Sequence, residues 1–154
     1  MILTAQEVAQ MQAQASAEYP YECCGFVLVR DRGTPNRLIF PCRNVQNELH
    51  AKDPARYQRD ARTAYHIHDE DLRTVFGPLD RDGYRIAVIY HSHIDVGAYF
   101  SQTDKEQALM NGEPAYPDAA YVVVSVVERT VQALGAFQWD PSRRDFAPVE
   151  ITIT

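Results

Sequence analysis

The chain has 154 residues, enough for one hydrophobic core and too few for a comfortable second one, so a single domain over residues 1–154 is expected. The 21 acidic residues exceed the 15 basic ones, giving a net charge of -6 with no lysine or arginine cluster, which argues against nucleic acid or an anionic membrane as a partner. Three cysteines, two of them adjacent at Cys23 and Cys24, make no disulfide framework, and the opening residues lack the basic start and apolar run of a signal peptide; a cytoplasmic location is expected.

Thr4 as N-cap with Glu7 three residues later, and Val8, Met11 and Ala15 on one face, predict a helix over residues 5–17 that ends before Tyr19-Pro20. Residues 25–30 read as a buried strand that turns at 31–35 into a second strand around 38–40, forming a hairpin. The polar stretch 44–64 has no period and contains Pro54, so it reads as a long loop with about one helical turn, the kind of segment that often faces a substrate. Residues 65–68 suggest a short strand and Asp69 the cap of a helix carrying Leu72, Val75, Phe76 and Leu79 on one side, before Asp82-Gly83 turns the chain into a strand over 85–90. A helix over about 101–110 stops at Asn111-Gly112-Glu113-Pro114, and strands at 120–127, 131–139 and 144–154 complete the chain.

The run Tyr90-His91-Ser92-His93, followed after seven residues by Ser101-Gln102-Thr103-Asp104, carries the chemistry. Residues two apart on a strand share a face, so His91 and His93 point together, and Asp104 closes the set from the next element. Two imidazoles and one carboxylate, with a fourth position left for water, are the donor set of a catalytic rather than a structural zinc. Each fragment also has an ordinary reading. A lone His-x-His on a strand is usually two satisfied histidines, and Ser101-x-x-Asp104 is equally a helix-capping pair. Their conjunction at a strand end and the following helix start favours the site. A second pair, His66 and His68, has Asp69, Glu70 and Asp71 directly after it in a helix start, where capping accounts for them, so it is expected to be non-catalytic. Cys23 and Cys24 face opposite ways on an extended chain and are expected to be packing residues.

With these elements the chain resembles the JAMM, or MPN-plus, zinc metalloproteases, whose signature is a distant glutamate, then His-x-His, seven residues, and Ser-x-x-Asp. Glu22, in Tyr19-Pro20-Tyr21-Glu22-Cys23-Cys24-Gly25, matches the glutamate in the manner of the small prokaryotic branch; Asn44, Tyr90, Tyr116-Pro117 and Ser125 add to the likeness. The resemblance implies a single-domain α/β, cytidine-deaminase-like fold with a mixed, curved sheet flanked by helices. It also implies Zn2+ on His91, His93 and Asp104, Glu22 as general base and Ser101 as oxyanion donor. Without the family pattern, Glu22 reads as a solvated loop residue. The implied activity is cleavage after the C-terminal Gly-Gly tail of a ubiquitin-like or sulfur-carrier protein; a non-catalytic MPN scaffold and a phage-tail or cell-wall peptidase are the alternatives. Relatives commonly have proline where Ile94 and Phe100 stand here, so the 94–100 segment is expected to be looser or its groove reshaped.

Overall fold

The computed structural model describes residues Met1–Thr154. In chain order it contains β1 (Ile2–Leu3), α1 (Ala5–Glu18), β2 (Cys24–Arg30), β3 (Asn36–Cys42), α2 (Gln46–Lys52), α3 (Asp69–Thr74), β4 (Arg85–Ile94), α4 (Gln102–Ala108), β5 (Leu109–Met110), β6 (Glu113–Pro114), β7 (Ala120–Val127), β8 (Thr130–Asp140), β9 (Asp145–Pro148) and β10 (Thr152–Ile153). Six strands form one sheet in the order β3-β2-β4-β7-β8-β9. All its pairings are antiparallel except β4 with β7, so the sheet is mixed, and α4 lies in the crossover that the parallel pair requires.

The sheet separates two apolar layers, which explains the nearly unbroken apolar runs of β2, β4 and β7. Val8, Met11 and Ala15 of α1 pack with Cys23, Val27, Val88, Tyr90, Val122 and Val124 on one face. Cys24, Phe26, Ile89, Tyr121 and Val123 project from the other face and meet Val75, Phe100, Ala108 and Phe146. Fully burying a side chain such as Met11 or Phe26 contributes about 1.5–3 kcal/mol. The architecture is therefore the α/β fold with a helix-flanked mixed sheet that the resemblance implied.

The capping box expected at the start of α1 is present: Thr4 Oγ1 accepts from Glu7 N at 3.1 Å, and Glu7 Oε2 accepts from Thr4 N at 2.8 Å. Several expectations need correction. The 44–64 stretch is not a loop with one turn, because α2 makes two turns of it; α2 buries only Gln46, so it has no apolar stripe to read. Residues 65–68 form no strand beyond a single bridge between Asn44 and Ile67. The cap of α3 is His68, whose Nδ1 accepts from Glu70 N at 3.1 Å, rather than Asp69.

After Thr74 the helix widens into a π-helical turn, Val75–Leu79, where Pro78 withholds the N–H that an α-helix would direct to the Thr74 carbonyl. The widening rotates the stripe: Val75 is buried but Phe76 is 51% exposed. The helix after Ser101 ends at Ala108, and Leu109–Met110 pair with Glu113–Pro114 across the left-handed residues Asn111 and Gly112. Finally, residues 144–154 are two strands. β9 closes the large sheet, whereas β10 runs parallel to β1 in a separate two-stranded pair.

Candidate metal centre and its cleft

β4 continues past Tyr90 to Ile94, so both histidines belong to a strand paired on both sides: His91 lies opposite Cys24 on β2 and Val123 on β7. Their rings share the sheet face that α4 covers. Ser101 then caps α4 and Asp104 sits in its first turn, which brings the carboxylate back onto the imidazoles. Both readings of Ser101-x-x-Asp104 are realised together. Ser101 Oγ accepts from Asp104 N at 3.1 Å and donates to Asp104 Oδ2 at 2.7 Å, and Ser101 N donates to the same oxygen at 2.8 Å.

His91 Nε2 lies 3.1 Å from Asp104 Oδ1 and 3.2 Å from His93 Nε2, and His93 Nε2 lies 3.2 Å from Asp104 Oδ2. Bonds of about 2.0–2.1 Å to one tetrahedral ion place ligand atoms roughly 3.3 Å apart, so these are the edge lengths of a coordination shell. His93 Nδ1 sits 3.1 Å from the Gly97 carbonyl, which holds the proton on Nδ1 and turns the Nε2 lone pair into the cluster. Tyr65 stacks on the His91 ring at 4.8 Å. His91 Nδ1 is buried with no hydrogen-bond partner, at a cost of about 1–3 kcal/mol. The donor set fits a divalent cation, and these three buried residues form a possible metal site.

The electrostatics point the same way. Burial keeps the His91 imidazole in its neutral form, the form that can bind a metal. Burial pushes the Asp104 carboxyl up, but the hydrogen bonds from both imidazoles and from Ser101 outweigh it and hold the group well below the usual carboxylate range. Glu22 behaves oppositely: burial, and then the nearby Asp104 charge, push its carboxyl up to about 9, with Arg59 opposing them.

Glu22 shares a cleft of about 280 Å³ with His93 and Ser101. It is held there through its backbone: Glu22 N donates to the Ala61 carbonyl at 2.7 Å, Asn44 Nδ2 donates to the Glu22 carbonyl at 2.8 Å, and the next residue, Cys23, donates from N to Ser92 Oγ at 2.8 Å. Ser92, the middle residue of His-Ser-His, thus ties the glutamate's segment to the strand that carries the histidines.

The structure keeps His66 and His68 away from this cluster. His68 caps α3 and accepts from Arg43 at 3.1 Å, and His66 lies edge-on to Tyr57. Cys23 and Cys24 are buried packing residues, one in each core layer. The 94–100 segment is tied down rather than loosened. Ser125 Oγ donates to the Val96 carbonyl at 2.5 Å, Asp95 N donates to Val126 O at 2.8 Å, and Phe100 stacks on Phe137 at 5.3 Å. Sequence reading missed Arg59 and Arg62 in the cleft, Tyr65 on the His91 ring, and the amides of Gln46 and Asn47 that hold the 59–61 segment. Their only signal was the concentration of amides just after β3.

The family model for prokaryotic homologues of the JAB domain matches residues 4–140. Among curated relatives, the CysO-cysteine peptidases of Mycobacterium bovis and Mycobacterium tuberculosis are each 34% identical over 127 residues, covering 81% of this chain and 73% of theirs. Tail tip assembly protein K of Escherichia phage N15 is 33% identical over 97 residues; the match covers 63% of this chain and about a third, 32%, of the phage protein's length. Two solution structures superpose over the whole chain. A Desulfitobacterium hafniense protein has a TM-score of 0.69 at 19% identity with 93% of it covered, and a Salinibacter ruber protein has 0.65 at 26% with 92% covered. Since the matched span contains the histidine pair, Asp104 and Glu22, and the fold around them agrees, the chain belongs to the family of prokaryotic JAB-domain homologues.

Proposed function

We propose that the protein is a zinc metallopeptidase that cleaves after the C-terminal tail of a ubiquitin-like or sulfur-carrier protein in the cytoplasm. The convergence of His91, His93 and Asp104 beside the buried Glu22 carries this reading. Its supports are the family and the relatives named CysO-cysteine peptidases. The three free thiols fit a reducing compartment, and no helix is long and apolar enough to cross a membrane.

His91, His93 and Asp104 would hold the zinc. When bound, it acidifies a water to a pKa of about 7 and polarises the scissile carbonyl. Glu22 would accept the proton from the attacking water as a carboxylate and deliver it to the departing amine; burial and the Asp104 charge oppose that ionised form, while Arg59 and the charge of a bound cation would favour it. Ser101 first orients Asp104; to donate to the developing oxyanion, its O–H leaves Asp104 Oδ2. The Asn44 tie and the 94–100 segment shape the cleft that admits the tail. A glycine tail offers little side-chain surface, so affinity must come from the folded partner and from main-chain pairing.

Metal analysis of purified protein should give about one zinc per chain, lost in His91→Ala/His93→Ala and kept in His66→Ala/His68→Ala. Glu22→Gln should keep fold and zinc but lose about 10²–10⁴-fold in cleavage of a carrier extended past Gly-Gly. A fully active Glu22→Gln protein removes Glu22 from the mechanism. The phage tail protein match favours a second reading, a tail or cell-wall peptidase. Cleavage of cell-wall peptides with the carrier left intact, read by mass spectrometry, would establish it in place of the first.

A further inference from the structure

Two arginines stand at the cleft that the hydrolytic chemistry does not use. Arg59 and Arg62 line it together with Glu22, Thr63, His93 and Ser101. Arg37, Arg43, Arg85 and Arg144 each rest on a carboxylate, whereas the other arginines form no ion pair; what sets Arg59 and Arg62 apart among these is their place in the cleft. Arg59 donates only to Thr103 Oγ1, at 3.2 Å, and the Arg62 guanidinium has neither an ion pair nor a hydrogen bond. Neither pairs with Glu22, although it lines the same cleft.

The segment that carries them is fixed. Gln46, itself only 6% exposed, donates from Nε2 to the Arg59 carbonyl at 2.7 Å, and Asn47 Oδ1 accepts from Ala61 N at 2.8 Å. Ala61 O accepts from Glu22 N, and Asn44 Nδ2 bonds both the Glu22 and the Ala64 carbonyls. Three amide side chains, Asn44 just before α2 and Gln46 and Asn47 in its first turn, therefore hold the arginine segment and the candidate base in one register. In a protein of net charge -6, two guanidiniums without an ion pair at one cleft concentrate positive charge where a carboxylate could be met by charge-assisted hydrogen bonds.

We propose that Arg59 and Arg62 bind the free α-carboxylate of a single residue appended to the carrier tail, so that the enzyme trims one C-terminal residue rather than cutting an isopeptide bond. This rests on the peptidase reading above. Water adds across the last amide and its C–N bond breaks. The carrier keeps a new carboxylate, and the released residue leaves with a free amine and the carboxylate it already had. A protein lysine joined through an isopeptide bond has no carboxylate at that position, so the subsite discriminates against it.

The test gives zinc-loaded protein a ubiquitin-fold carrier ending Gly-Gly-Ala as the free acid, and the same carrier ending in alaninamide. Wild type should cut the acid with a kcat/KM at least about 10-fold above the amide, as a charge-assisted hydrogen bond to one substrate only requires. Arg59→Ala/Arg62→Ala should abolish the preference while keeping zinc content, melting temperature and the rate on the amide. Binding of the two carriers to Glu22→Gln protein gives a second readout, with the acid again at least about 10-fold tighter. Equal wild-type rates on acid and amide overturn the inference and leave the peptidase reading standing. Failure to cut either substrate sinks that reading and this inference with it. Equal slowing of both substrates in the double arginine variant places the arginines against the carrier's body and also overturns the subsite.

Discussion

Gly135 offers a sharp test of how the site is supported. It lies on β8 opposite Val123, which lies opposite His91, so the three occupy one row on one face of the sheet. The 94–100 segment crosses that row, and a Cβ on Gly135 would fall onto the Ala98 carbonyl oxygen, with the Phe137 ring 3.1 Å away. The neighbour is backbone and cannot rotate aside, so Gly135→Ala must lift the segment. Overpacking of this kind costs about 1–3 kcal/mol. At roughly 2–4 °C per kcal/mol for a chain of this size, the melting temperature should fall by about 2–12 °C.

Gly97 lies next to Ala98 and supplies the carbonyl that orients His93, so lifting the segment also loosens a candidate metal ligand. Loss of such an outer partner weakens metal binding about 10–100-fold. Thermal melts and zinc competition against a chelator measure the two effects. Gly77→Ala, where a Cβ meets nothing nearer than Arg81 Nη1 at 3.9 Å, is the control and should be nearly neutral. A Gly135→Ala protein with wild-type melting and wild-type zinc affinity would refute the argument that the segment rests on this glycine.

Two other outcomes follow from the structure. Zinc at 100 times its Kd should stabilise the native state by about 2.7 kcal/mol, so chelation should lower the melting temperature by about 5–11 °C. His91→Ala/His93→Ala should melt alike with and without zinc, and a wild-type melt insensitive to chelator would contradict a native metal site. For Glu7, burial raises the carboxyl pKa, but bonds from Arg37 at 2.7 Å and from Thr4 outweigh it and lower the net value. A lowered folded pKa means stabilisation present above about 4.5 and lost as the pH falls through the folded value. Glu7→Gln should thus cost about 1–2 kcal/mol in urea unfolding at pH 7, a difference that shrinks as the pH drops below 4.5; a gap that widens in acid would reverse the assigned sign.

What could be read in advance depended on how local the cause was. His91 and His93 were legible because strand alternation places both rings on one face, and Asp104 because a capping spacing fixes it in a first turn. Glu22 had no such local signal and came only through the family pattern, since its position depends on contacts with Ala61, Asn44 and Ser92, up to 70 residues away. The π-helical turn at Pro78 undid a helical stripe that was correct in composition but wrong in pitch. β1 and β10, at two residues each, are too short to show alternation, and α2 is held by amide bonds instead of an apolar face. Arg59 and Arg62 looked like ordinary surface charge until the fold put them beside Glu22.

The adjacent cysteines make the two sides of the sheet separately observable in solution. Cys23 belongs to the layer under α1, while Cys24 and Cys42 belong to the layer under the site. Burial pushes the Cys23 and Cys42 thiols up to about 12 and raises Cys24 as well, so none reacts while its layer is closed. Alkylation rates in native buffer therefore time each layer's opening independently. If the site side breathes on its own, Cys24 and Cys42 take up label before Cys23; if the sheet opens only as a whole, all three share one rate. The native sequence thus carries a built-in pair of clocks, one on each side of the sheet, without any probe being introduced.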